Sequence, residues 1–287
     1  MMDYIQEYTE GVLLKSGFSD NTILSYKRDL KLFSEYMIMS SIKYENLKKK
    51  NAREYIGYLI ENSKSPATVH RNVASVKGFY DYLHKIKLIR RNPFYGIELP
   101  AQSKHIPEAL TISEVDNLLS APDTKTLKGI RDKAMFELIY ATGMKVSELI
   151  SLKVSDVNLK EKTINCGNSK KTRNVPLGRI CYDALNKYLK QRTTKSDMLF
   201  VNMYNEPISR QGFWKLLKAY KEIAGISKDI SPKVLRHSFA VHLAQNGLEA
   251  ESLKQLMGYS SIASANVYVE MVNEEIKNKY IKAHPRA

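Results

Sequence analysis

A proline-bearing stretch at residues 92–109, NPFYGIELPAQSKHIPEA, constrains the fold more than any other feature of the chain. It contains Pro93, Pro100 and Pro107 and shows no apolar period. Each proline fixes a backbone torsion and removes a donor, so neither a long helix nor a central strand runs through it. That is linker composition, and it predicts two units: residues 1–100, a connection at 101–109, and residues 110–287. A chain of 287 residues is long enough for each unit to bury a core.

The first unit reads as helical. Across Thr22–Met39, the residues Ile23, Tyr26, Leu30, Phe33 and Met37 recur at helical spacing and give one apolar stripe. A second helix is expected from Asn51 to Glu61. A third opens at Ser65 as N-cap, with Pro66 in the first turn where its missing N–H does no harm. It continues through Val69, Val73, Val76, Phe79, Tyr80 and Leu83. The other faces carry Lys27, Arg28, Lys31, Arg71 and Lys77. Such cations form either a solvated surface or a side that faces DNA, and the interleaved aromatics favour DNA.

The second unit starts with a capping box, Thr111 to Glu114. A helix over Thr126–Ala141 stops at Gly143, and a short one covers Val146 to Leu152. Lys162–Cys166 and Arg173–Leu177 read as two strands around the polar turn GNSKKT. Helices follow at Arg179–Gln191 and Arg210–Ala224. Ser231-Pro232 opens another, which ends at Asn246-Gly247; the next runs from Glu249 to Met257 and stops at Gly258. Ser260 or Ser261 is the expected cap of a last helix that holds Tyr268, and a tail from Asn273 carries Ile276, Tyr280 and Ile281 at helical spacing. That tail either closes on its own core or docks on a neighbouring protomer. The expected class is α+β, mainly helical with a small hairpin or sheet.

Charge narrows the partners. Forty-five Lys and Arg against thirty Asp and Glu leave a net charge of +15, which fits a nucleic acid, an anionic membrane surface or a solubility device. No apolar run approaches the ~20 residues that span a bilayer, and the opening MMDYIQEYTE lacks the pattern of a secretory signal. Cys166 and Cys181 are too few for a disulfide framework, which suits a cytoplasmic protein. There is no Cys/His cluster with zinc spacing and no glycine-rich phosphate loop, so no metal and no cofactor are expected. Phosphate chemistry then falls to side chains. Lys233 and Arg236, three residues apart at a helix start, lie beside free backbone N–H groups and form either a phosphate site or merely exposed cations. His237 reads as a packing or capping residue and is given no role.

Several segments taken together resemble the tyrosine recombinase or phage integrase family, its Xer-type branch in particular. They are SPATVHRNVASVKGFYDYL (65–83) with NPFYGIELP behind it, YATGMKVSELISL (140–152), GNSKKTRNVPLG (167–178), LRHSFAVHLAQNG (235–247) and LMGYSSIASANVYVE (256–270). The resemblance implies a SAM-like, helical core-binding domain and a catalytic domain that close around double-stranded DNA. It implies site-specific recombination or integration without metal, through a nucleophilic tyrosine that forms a 3′-phosphotyrosyl link and releases a 5′-hydroxyl. Two protomers would occupy each site and four a synapse, with a heterologous recombinase as an alternative partner.

Carried across by position, Tyr268 matches the nucleophile, Arg236 the second family arginine and Glu148 the supporting acidic residue. Lys145 stands at the first family arginine, Lys233 at the family histidine, and Tyr259 at the following histidine or tryptophan. Asn168 aligns with the hairpin lysine, while Lys170 and Lys171 lie in the same turn; Lys170 is the preferred proton donor to the leaving oxygen, and Lys171 and Arg173 are expected against DNA.

These departures have physical consequences. Two guanidiniums suit a pentavalent phosphorane because each can fork onto two oxygens. Lys145 keeps the charge and loses the fork, at a cost of about 3 kcal/mol or ~10²-fold in rate. Lys233 and Tyr259 retain donors. Cations at Lys145, Lys233 and Arg236 are expected to favour the Tyr268 phenolate. The predicted activity is therefore a recombinase, working or attenuated. A DNA-binding protein on the same fold that no longer cuts, such as a regulator, replication or architectural factor, is the alternative, and a nicking-closing topoisomerase is a third reading.

Overall fold

The computed structural model describes residues 4–101, 108–168 and 171–283, with the backbone alone at 168, 171, 275–280 and 282–283. The chain divides into two compact units, Met1–His105 and Ile106–Ala287. Of the tract expected as linker, residues 102–107 lie outside the described residues.

The first unit contains α1 (Tyr4–Glu7), which runs on as a π-type turn to Leu13, then α2 (Asp20–Met39), α3 (Lys49–Glu61) and α4 (Pro66–Lys85). Two serines fix helix starts: Ser19 Oγ accepts the Thr22 N–H at 3.2 Å and Ser65 Oγ accepts that of Thr68 at 3.3 Å. The apolar stripes of α2, α3 and α4 then meet. Leu30, Phe33, Tyr55, Val76, Phe79, Tyr80 and Leu83 are fully buried, with the Phe33 ring edge-on to Tyr55 at 4.9 Å and to Tyr80 at 5.9 Å. Each such side chain contributes about 1.5–3 kcal/mol by leaving water.

The second unit contains α5 (Ile112–Ser120), α6 (Leu127–Thr142), α7 (Val146–Ser151), β1 (Val157–Asn158), β2 (Thr163–Asn168), β3 (Lys171–Pro176), α8 (Arg179–Gln191), α9 (Arg210–Ile223), α10 (Pro232–Gln245), α11 (Ala250–Met257) and α12 (Ala263–Ala283). The capping box forms in both directions: Thr111 Oγ1 accepts from Glu114 N–H at 3.1 Å, and Glu114 Oε2 from Thr111 N–H at 2.7 Å. The strands make one antiparallel sheet in the order β1-β2-β3, with Ile164 opposite Val175 and Cys166 opposite Arg173. α6 lies at the centre, with Ala134, Met135, Phe136, Leu138 and Ile139 fully buried.

Four expectations need correction. The polar stretch 167–172 is mostly strand, because the ladder continues outward through Gly167–Thr172 and Asn168–Lys171. Once Ile164 and Val175 fix the register, residues beyond them keep pairing. A third strand, β1, is two residues long and offers no period to read. Neither Ser260 nor Ser261 takes the capping position of α12. That position falls on Ile262, whose carbonyl accepts the N–H groups of Ala265 and Asn266 at 2.9 Å, while Ser261 Oγ pairs with Ser264 Oγ at 3.3 Å. The tail from Asn273 is no separate element but the continuation of α12. The side chains of Ile276 and Tyr280 lie outside the described residues, and Ile281 is exposed.

The entry to the second unit is tied to α10. The Leu110 N–H donates to Ser238 Oγ at 2.9 Å, and His242 Nε2 bonds the Leu110 carbonyl at 2.9 Å. A carbonyl only accepts, so Nε2 carries the proton and Nδ1 accepts the Tyr140 hydroxyl at 2.8 Å. Burial keeps this imidazole below its ordinary pKa and therefore neutral.

Candidate active site

Ser231 fixes the start of α10: its hydroxyl accepts the Val234 N–H at 3.3 Å, and Pro232 occupies the first turn. From this start Arg236 points inward and is 8% exposed, whereas Lys233 is exposed. Arg236 Nη1 donates to the Gly143 carbonyl and Nη2 to the Met257 carbonyl at 2.6 Å. Both acceptors sit at helix C-termini, where carbonyls lack helical partners and the dipole is negative. Each helix stops on a left-handed glycine, Gly143 at φ 57° and Gly258 at φ 66°. One guanidinium thus holds the ends of α6 and α11 together. A small separate core supports it, formed by Phe239, Ala240, Leu253, Met257 and Ala265, with Tyr259 and Tyr268 packed against it.

The two tyrosines meet above this arginine. Tyr259 follows Gly258, and Tyr268 lies on the second turn of α12. Their hydroxyls are 3.1 Å apart, and the rings stack at 9° with centroids separated by 6.4 Å. The Arg236 guanidinium lies over the Tyr259 ring at 5.1 Å. The buried His237 ring packs on Tyr268 at 5.2 Å. Sequence reasoning assigns His237 no part, and the one signal that could have found it is its place beside Arg236.

The expected acidification of Tyr268 is overturned. Burial raises its pKa above the ordinary value, the Tyr259 hydroxyl raises it further, and Arg236 opposes them without prevailing. Lys145 and Lys233 are exposed, and among the described residues neither ammonium bonds Tyr268, Tyr259 or Arg236. Neither lysine is among the groups that shift the Tyr268 pKa. Burial also depresses the Arg236 pKa, with Tyr259 and Glu148 opposing.

Glu148 lies beneath the cluster. It accepts the Lys145 N–H at 2.9 Å and both terminal nitrogens of Arg173, at 3.3 and 3.1 Å. Burial opposes its charge, yet the Arg173 fork and the Lys145 N–H together hold its pKa below the ordinary carboxylate value. Arg173, expected against DNA, therefore turns inward: its Nε also donates to the Leu256 carbonyl at 2.7 Å. Gly258 leaves room for this path, since a Cβ there would come within 2.9 Å of Arg173 Nη1. Lys170 lies outside the described residues, and of Lys171 only the backbone is described.

In the first unit, Lys27, Arg28 and Lys31 are exposed along α2. Arg71 is half exposed, and its fork onto the buried Asp29, at 3.0 and 2.8 Å, occupies Nε and one Nη. A buried carboxylate demands such a partner, so Arg71 is first a structural residue. Lys77 lies over the Tyr95 ring at 4.3 Å. Among the described residues no group of His, Cys, Asp and Glu side chains converges to hold a metal, and no helix is long and apolar enough to cross a membrane.

A mixed helical unit that gathers a buried arginine and two phenols, following in sequence a helical unit with an exposed cationic face, is the combination found in DNA strand-transfer folds. Residues 108–275 match the phage integrase family and residues 5–87 match its N-terminal SAM-like domain; the chain belongs to the phage integrase family. It is similar to tyrosine recombinase XerD of Listeria monocytogenes, at 36% identity over 100% of both chains. Its fold is shared with the Tn1549 transposon integrase in complex with circular intermediate DNA (TM-score 0.79, 20% identity, 93% of this chain and 95% of that one). It is shared also with XerH recombinase bound to palindromic difH substrate (TM-score 0.77, 22% identity, 90% of this chain and 78% of that one).

Proposed function

We propose that this protein is a site-specific DNA recombinase that breaks and rejoins strands through a 3′-phosphotyrosyl bond on Tyr268. The observation that carries the reading is the contact of the Tyr268 and Tyr259 hydroxyls, 3.1 Å apart, beside the Arg236 guanidinium. Tyr268 Oη attacks the scissile phosphorus, and the P–O5′ bond breaks. Donors of Arg236 not bonded to Gly143 and Met257, with the Tyr259 hydroxyl, stabilise the equatorial oxygens. Lys145 and Lys233, both exposed, reach the phosphate from the solvent side. Lys170 or Lys171 of the β2–β3 turn protonates the departing 5′-oxygen. Glu148 acts by holding Arg173 and the start of α7 in place.

The duplex is held by Lys27, Arg28, Lys31, Arg71 and Lys77 of the first unit, and by Lys171 of the second. Two protomers bind inverted half-sites, and four exchange strands in a synapse, with copies of this chain or a related recombinase as partners. The covalent link conserves the energy of the phosphodiester, so no cofactor enters.

The test uses nicked suicide duplexes built on a sequence that the protein selects from a randomised duplex pool. A covalent adduct is expected, and it is lost in Tyr268→Phe. Binding without any adduct would instead support a DNA-binding protein that does not cut.

A further inference from the structure

We infer that Tyr259 is the proton relay of the strand-cleavage step: its hydroxyl takes the Tyr268 proton as Tyr268 attacks and passes its own proton to the phosphate. The inference rests on the reading of Tyr268 as nucleophile and assigns Tyr259 a second task besides donation to the phosphate.

The geometry carries it. The hydroxyls are 3.1 Å apart, within reach of direct proton transfer, and the parallel rings at 9° hold them in line. A phenol donates and accepts at one oxygen, so Tyr259 can accept from Tyr268 and donate to a phosphate oxygen at the same moment. Arg236 lies over the Tyr259 ring at 5.1 Å, where it stabilises charge drawn onto that phenol during the transfer. Among the described residues no carboxylate bonds Tyr268: its partners are Tyr259, the His237 ring and, at longer range, Arg236.

Independently, burial makes the Tyr268 phenolate costly to form in advance. The proton must therefore leave as the bond to phosphorus forms, and a relay hydroxyl already bonded to it provides the path. The balance is complete. The Tyr268 Oη–P bond forms and the P–O5′ bond breaks. The Tyr268 proton moves to Tyr259, and the Tyr259 proton moves to a non-bridging phosphate oxygen, from which it restores the turn lysine that has given its own proton to the departing 5′-oxygen. Tyr259 finishes as it began.

The experiment measures single-turnover adduct formation by the full-length chain on its selected nicked duplex. Tyr259→Phe preserves shape and removes the relay, so its rate is expected to fall roughly 10²-fold. Tyr259→His, whose neutral ring also accepts at one nitrogen and donates at the other, is expected to recover most of that loss. Rates in H2O/D2O mixtures give the sharper readout: a bowed dependence for the wild type, from two protons in flight, and a linear one for Tyr259→Phe. Unchanged melting and DNA affinity in both variants exclude a folding defect.

A Tyr259→Phe variant that cleaves at the wild-type rate, or keeps the bowed dependence, overturns the relay, as it would if His237 took the proton. A wild-type chain that forms no adduct on a duplex it binds overturns the nucleophile reading, and the relay with it.

Discussion

Lys145 occupies the N-cap position of α7, with its backbone N–H on Glu148 and its ammonium in solvent. A guanidinium at this position would bring a planar fork to the phosphate where the ammonium brings a point charge. Lys145→Arg is therefore expected to speed single-turnover adduct formation by about 10–10²-fold. A slower but folded variant would show that the side chain at 145 does not approach the phosphate.

Glu148 leads to a prediction of opposite character, about stability. Its pKa is lower in the folded chain, so its ion pair stabilises the fold above the unfolded-state pKa and ceases to do so as pH falls through the folded value. Glu148→Gln removes that contribution, and its stability deficit should be largest near neutral pH and shrink in acid. Denaturation midpoints of both proteins, measured from pH 7 down to pH 3, check the sign.

At the scale of residues the sequence was informative about identity and poor about direction. Tyr268, Tyr259 and Arg236 are legible through motif position. That Arg173 turns inward depends on partners distant in sequence, Leu256 and Glu148, and its place in the hairpin carries no sign of them; the exposure of Lys233 is likewise not written in its motif position.

Two helix stops converge on the site, and Gly143 is the more constrained. Its φ of 57° already disfavours a side chain, and a Cβ there would run into the Phe239 ring and come within 2.7 Å of Met257 Sδ. Left-handed strain of about 1–2 kcal/mol adds to overpacking of about 1–3 kcal/mol. Gly143→Ala should thus destabilise the fold by about 3 kcal/mol, read from chemical denaturation, and should also slow adduct formation because the Gly143 carbonyl holds Arg236. A variant as stable as the parent would mean that α6 can end in another way. The contrast is Ser231→Ala, which removes one cap hydrogen bond and should cost about 1 kcal/mol.

Elements of this kind are where sequence reading succeeds. Serine caps at Ser65 and Ser231, the box at Thr111 and the stops at Gly143 and Gly258 are local chemistry, and each defines a helix end in the structure. It fails where local signals are weak or compete. The two residues of β1 exist only because β2 offers an edge to pair with. The start of α12 slides past two good capping serines because Ala265 must enter the small core beside Met257.

The whole molecule carries fifteen more cationic than anionic side chains. Some of its cations are already bound internally: Arg71 to Asp29, Arg173 to Glu148, Arg131 to Asp132 and Lys133 to Glu137. Pairs of this kind cancel within the protein and leave the surplus on groups such as Lys27, Arg28, Lys31, Lys145 and Lys233, which are exposed. Exposed cations release condensed counterions when they meet a duplex, so the logarithm of affinity falls linearly with the logarithm of salt concentration, by about 0.9 for each phosphate neutralised. A grip of roughly six to ten phosphates would cost about 10³–10⁵ in affinity between 50 and 200 mM salt. Replacing Lys27, Arg28 and Lys31 together by glutamine should reduce the slope by nearly three phosphates' worth, while Lys133→Gln should leave it unchanged because that ammonium already serves Glu137. Binding isotherms across a salt series measure both slopes. If the triple variant keeps the parental slope, the cationic face of α2 does not contact the backbone and the duplex must be held elsewhere.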